Sequence, residues 1–151
     1  MRQAEALAEK ICNIPFQGIL YSPLLRAKQT AEIIFEKVNR ENSNTDNRIW
    51  KRKNSLLMEQ DYGCANGRFI TFTDEEWESW YATYGQGGEP DQQFEARMHQ
   101  AARSLLECGE ECVIVVSHGA VVSKLVKILT GKVTPISGIG NGTVTCVEVE
   151  T

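Results

Sequence analysis

No stretch of this sequence approaches the roughly 18 uninterrupted apolar residues of a membrane-spanning helix, which excludes a helical span on hydropathy alone. Basic charge is also short: 16 Lys and Arg stand against 20 Asp and Glu, a net charge of −4. A nucleic-acid partner would call for a basic stripe, and none is present. The opening residues, Met1-Arg2-Gln3-Ala4-Glu5, lack the apolar core of an export signal. The five cysteines (Cys12, Cys64, Cys108, Cys112 and Cys146) are odd in number and scattered, so they form no disulfide framework. That pattern suits a reducing compartment, and a cytoplasmic location is expected. Histidine is scarcest of all, with only His99 and His118.

What is present is ordinary for a globular chain: 151 residues, 42% hydrophobic and 24% charged. This length supports one core and not two, so residues 1–151 read as a single domain. Ala4, Leu7, Ala8 and Ile11 fall at helical spacing, yet nothing before them caps the helix. Gly18 to Tyr21 reads as a buried strand, with Ser22-Pro23 as the cap and first position of a helix reaching about Asn39. Ile49 to Met58 is read as a strand ending at Met58. The Thr73…Glu76 capping box predicts a helix over 74–84, and a longer helix should span 91–107. Cys112 to Val116 is apolar on both faces, as in a central parallel strand, and turns through Ser117-His118-Gly119 into a helix ending at Gly131. Residues 143–150 alternate like a half-buried edge strand. The sum is an α/β fold, three layers deep, with a mostly parallel sheet.

Two places share one local design: a buried strand, a tight polar turn, then a helix. In parallel sheets the ligand crevice lies beyond the carboxyl ends of the strands, where helix N-termini attract anions. Arg26 sits one turn into the first such helix and His118 at the mouth of the second. A planar permanent cation beside an imidazole can hold a phosphoryl group. The plainer readings are an exposed ion pair for Arg26 and a solvated carboxylate for Glu59. Zinc is disfavoured, because Cys108-x-x-x-Cys112 lacks a second tight pair. Trp50, Trp77, Trp80, Tyr81 and Tyr84 read as a cap over loops, and Asn141-Gly142 as a turn.

Taken together, the segments resemble one family. Ser22-Pro23-Leu24-Leu25-Arg26-Ala27-Lys28-Gln29-Thr30-Ala31 resembles the S-P-L-x-R-A-x-Q-T-A segment of the histidine phosphatase, or phosphoglycerate mutase-like, family. Val113 to Gly119 resembles its V-x-V-V-S-H-G strand and turn. Glu59 to Gly63 with Asn66-Gly67 resembles its acid loop, and Gly88-Glu89 followed by Arg97 its G-E-S…R stretch, with Pro90 in place of Ser. Gln3 to Ala8 resembles the Q-A-x-x-L-A helix. The resemblance implies a phosphomonoesterase working through a phosphohistidine. Arg26 would hold the phosphoryl group, His118 would hydrogen-bond its oxygens, and Glu59 would act as the acid. Ser22, Gly119 and Asn141 are the further phosphate or substrate contacts expected. No metal or cofactor is implied; the partner is a phosphorylated small molecule.

One family feature is missing. The nucleophilic His belongs to an Arg-His-Gly turn at the end of the first strand, and this sequence contains no Arg-His-Gly. His99 falls within a predicted helix and cannot replace it. The chain therefore reads as incomplete at its N-terminus, without a first central strand. By resemblance, that strand would lie between those ending at Ser22 and Ser117. Either these two close directly, or a homodimer partner or second chain covers the exposed edges. The activity expected of the chain alone is therefore weak or nil. The competing reading is a non-catalytic phosphate-binding or interaction module, and a phosphoglycerate mutase fits less well because the Gly63–Gly88 loop is short.

Overall fold

A computed structural model describes residues 2–42, 48–66, 86–136 and 139–149. Its centre is β1 (Gly18–Tyr21), paired in parallel with β2 (Trp50–Lys53) on one side and β3 (Val113–Val116) on the other. Gly18 is level with Trp50 and Val113, and Tyr21 with Lys53 and Val116. Parallel neighbours need long crossovers, and helices supply them. Helix α1 (Arg2–Ile11) precedes the sheet, α2 (Leu25–Glu41) follows β1, α3 (Asp91–Leu106) precedes β3, and α4 (Gly119–Thr130) follows it.

Side-chain alternation along β1 divides the core in two. Ile19 packs with Leu7, Ala8 and Ile11 of α1 and with Ala31, Ile34 and Val38 of α2. Leu20 faces the other way, onto Phe94, Met98 and Ala101 of α3 and Ala120, Val121 and Leu125 of α4. Three layers result, as the periodicity predicted. Each helix buries a stripe at three- and four-residue spacing. Gly131 ends α4 in the left-handed region, φ 72°, and its N–H closes on the Lys127 carbonyl. No helix of the described residues is long and apolar enough to cross a membrane.

The structure departs from the sequence reading in several places. Helix α2 begins at Leu25, not at Pro23, and Ser22 is no conventional cap: it is fully buried. The strand expected to end at Met58 stops at Lys53. A 3₁₀ turn over Ser55–Leu57 follows, started by Asn54, whose side chain accepts from the Leu56 N–H. Residues 143–149 form no strand and are mostly exposed, while Asn141-Gly142 does turn, with Gly142 at φ 73°. The helix expected over 74–84, with Trp77, Trp80, Tyr81 and Tyr84, lies outside the described residues, as does Gly67.

The sheet edges differ most. No gap separates β1 from β3; the two pair directly. Among the described residues the far side of β3 has no strand partner, and this strand is half-buried instead of central. A groove of about 830 Å³ runs beside it, lined by Leu7 and Ile11 of α1, Val122 and Val126 of α4, and Thr143 and Val147 opposite. The other edge, β2, is guarded by charge: Lys51 lies over the Phe35 ring and pairs with Glu32, and Arg52 lies 4.8 Å from the Trp50 ring.

Gly18 is required by close approach. A Cβ there would stand 2.1 Å from Trp50 Cε2, and the indole crossing it donates from Nε1 to Glu110 at 2.9 Å. Gly18→Ala should therefore displace the indole and destabilise the fold by roughly 1–3 kcal/mol, read as a lowered urea midpoint. An unchanged midpoint would mean the indole moves aside without cost.

Candidate active site at the carboxyl ends of the strands

Because β1 and β3 are parallel, the turns that follow them open on the same edge of the sheet. The Ser22 N–H continues the ladder to the Val116 carbonyl at 3.0 Å, so Ser22 and His118 lie side by side. The His118 ring is buried between two partners. Arg26 Nε donates to its Nδ1 at 3.0 Å, and its Nε2 lies 2.7 Å from Ser22 Oγ. A guanidinium can only donate, so Nδ1 must be the bare nitrogen and Nε2 carries the hydrogen that Ser22 accepts. Burial, and then the Arg26 charge, push the imidazole down to about 4. It is neutral at physiological pH, in a fixed tautomer.

Arg26 stands in the first turn of α2 and is exposed. The ion pair that a first-turn Arg would ordinarily make is absent among the described residues. Its Nε is committed to His118, and its Nη groups have no protein partner there. Glu59 follows the 3₁₀ turn and is half-buried, with Oε1 accepting from the Gln60 N–H at 3.1 Å. Burial pushes its carboxyl above the usual range. The Gln60 amide, the Arg26 charge and the Ala120 and Val121 amides at the start of α4 pull the other way.

Arg26, Glu59, His118, Gly119 and Asn141 all line one cleft, which is continuous with the groove along β3. The site residues expected at the rim are therefore together, except Ser22. It lies beneath His118 and orients the ring instead of facing the cleft. Both His118 ring nitrogens are engaged within the protein, Nδ1 by Arg26 and Nε2 by Ser22. His99 is exposed on α3 and does not line the cleft. No group of three His, Cys, Asp or Glu gathers to hold a metal among the described residues. Sequence reasoning missed the work of Gln60 and Ser117, both turned inward; Gln60 Nε2 bonds Asp91 Oδ1 at 2.7 Å and the Glu89 carbonyl at 3.3 Å. A polar residue flanking the acid was the only signal.

The depressed imidazole has a measurable consequence. Unfolded, His118 titrates near its ordinary 6.5; folded, near about 4. Between these values the unfolded chain binds a proton that the native state refuses. Stability therefore falls as the pH drops through that window, by an amount on the order of 3 kcal/mol, and is fully present above it. Glu59, shifted upward, works in the opposite sense, so the difference between wild type and His118→Asn isolates the imidazole. That difference should grow from pH 4 to 6.5 and then level; a flat difference in urea-derived stabilities would contradict the buried neutral ring. A ¹⁵N spectrum at pH 7 should show the Nε2–H tautomer.

An Escherichia coli K-12 structure described as an alpha-ribazole-5′-P phosphatase superposes with a TM-score of 0.65 at 25% identity, over 90% of this chain and 66% of that one. A mycobacterial glucosyl-3-phosphoglycerate phosphatase, solved with VO3, gives 0.62 at 21% identity, over 90% of this chain and 68% of its own. The alpha-ribazole phosphatase of Shigella flexneri gives 0.60 at 23% identity, over 90% and 66%. The chain thus spans about two thirds of these solved relatives. No curated protein matches significantly. The model of the histidine phosphatase superfamily (branch 1) matches residues 1–151, and with a parallel sheet that superposes on phosphatases of that fold, the chain belongs to the histidine phosphatase superfamily.

Proposed function

We propose that this chain supplies the phosphate-holding and acid–base parts of a phosphomonoesterase site for a small organic phosphate, and that the nucleophilic imidazole arrives on a strand seated in the groove beside β3. The observation that carries this reading is Arg26. Its Nε is anchored on a buried neutral imidazole, while its Nη fork, beside a cleft, has no protein partner among the described residues. A fork held in that way is prepared for two oxygens of one phosphoryl group. Glu59, biased toward its neutral form, is suited to protonate the leaving alkoxide oxygen. As a carboxylate it then takes a proton from the water that attacks phosphorus and breaks the P–N bond of the phosphohistidine. Arg26 offsets charge on the equatorial oxygens in both steps.

The groove supports the second half of the reading. Among the described residues no strand pairs with the outer side of β3, and an added strand would satisfy its main-chain groups. The groove is acidic at Glu110 and Glu111, beside the start of β3, and cationic at Arg26 beyond its end. A strand delivering a residue to the cleft from its own carboxyl end must run parallel to β3. A second copy of the chain covering that edge is the other arrangement, read as a dimer on gel filtration.

The chain as given should hydrolyse p-nitrophenyl phosphate poorly or not at all, since loss of a covalent nucleophile costs several orders of magnitude. It should still bind orthovanadate, and Arg26→Ala should abolish that binding. Appending an N-terminal strand that ends in Arg-His-Gly should switch turnover on, with an acid-labile phosphohistidine trapped by an alkaline quench. Brisk turnover by the chain alone, abolished by His118→Ala, would place the nucleophile at His118 and overturn the reading. Vanadate binding without turnover in the extended chain would favour the non-catalytic phosphate-binding module.

A further inference from the structure

Glu59 lies on an irregular segment, yet acid–base work requires a carboxyl held to within about 0.5 Å. The three residues before it are fixed in an unusual way: each of their carbonyls is captured by a side chain from another element. Arg97 on α3 donates from Nη1 to the Leu56 carbonyl at 2.7 Å and to the Met58 carbonyl at 2.8 Å. Ser117, immediately before His118, donates from Oγ to the Leu57 carbonyl at 2.8 Å. Arg97 is itself locked, with Nε and Nη2 on the two Glu89 carboxylate oxygens at 2.7 and 2.5 Å and its guanidinium over the Phe94 ring. On the far side of Glu59, Gln60 is buried and tied to Glu89 and Asp91.

A half-buried Arg–Glu pair that satisfies loop carbonyls could serve stability alone. The choice of carbonyls argues for more. They are the three that set the path of the chain into Glu59, and one is held from the residue next to His118. The acid and the imidazole are thereby built on one hydrogen-bonded frame. We propose that Arg97 and Ser117 are positioning residues that hold the Glu59 carboxyl at the cleft through its backbone. This rests on the reading of Glu59 as the acid.

Neither residue need touch the carboxyl. The groups that face it are Arg26 from α2, the Ala120 and Val121 amides at the start of α4 and the adjoining Gln60 amide, while the Arg97 charge is balanced by Glu89. A loosened backbone would move the carboxyl toward water and away from these groups together. Its titration is therefore a reporter of position.

The test is ¹³C NMR titration of Glu59 in the chain itself, beside thermal melting. Ser117→Ala and Arg97→Met should each move the Glu59 midpoint downward by about 0.5 pH unit or more, toward the ordinary carboxylate value. Arg97→Lys, which keeps a cation and can reach a carbonyl, should restore part of the shift. A purely structural role would lower the melting temperature and leave the Glu59 midpoint where it was, which overturns the proposal. If Arg97→Met does not fold, Ser117→Ala, the loss of one hydroxyl, decides alone. In the chain extended by an Arg-His-Gly strand, the same variants should lower kcat with little change in KM. Absence of turnover in the unmutated extended chain would sink the phosphatase reading, while the titration would still decide the clamp.

Discussion

The contact between Arg26 and His118 organises the strand-end face of this molecule. It joins α2 to the turn after β3 across a sequence separation of 92 residues, and Ser22 closes the set from the end of β1. All three elements must be in register for the contact to form, and the parallel pairing of β1 with β3 provides that register. Because Arg can only donate, the contact fixes both the tautomer and the neutrality of the imidazole. The buried serine and the free guanidinium fork then follow from it.

The two titratable groups in the cleft are displaced in opposite directions for one reason. Burial disfavours charge on either, so it lowers His118 and raises Glu59. Arg26 brings a permanent positive charge to the cleft, in a chain whose overall balance is acidic. The cationic character at Arg26 is local, set beside the start of a helix, and it does not depend on net charge.

The open flank of β3 belongs to the same argument. A strand with four apolar residues in a row is suited to burial on both faces and pairing on both edges. Here it is half-buried, and its neighbour across the groove, residues 139–149, runs without ladder bonds. The alternation of 143–150 in the sequence is a strand pattern, yet residues 143–149 make no ladder bonds among the described residues. Among the described residues, the half-buried β3 and the irregular tail face each other across this groove.

Residues and spacing alone determined a good deal: the α/β class, a helix over about 91–107 and another ending at Gly131, strands at Gly18 to Tyr21 and Cys112 to Val116, each within a residue or so of its observed bounds, and the placement of Arg26 and His118 past strand ends. Those features are written locally, in periodicity and turn chemistry, and local signals survive without tertiary context. Tertiary structure decided which strands are neighbours, which edge is open, and that Ser22 supports a ring instead of capping a helix. It also decided that Arg97 and Ser117 hold the approach to Glu59, because carbonyls carry no sequence signature of the side chain that will take them. Pairing and hydrogen-bond partnership between residues 32 to 96 positions apart are properties of the packed chain, and only packing chooses among the many partners that local pattern allows.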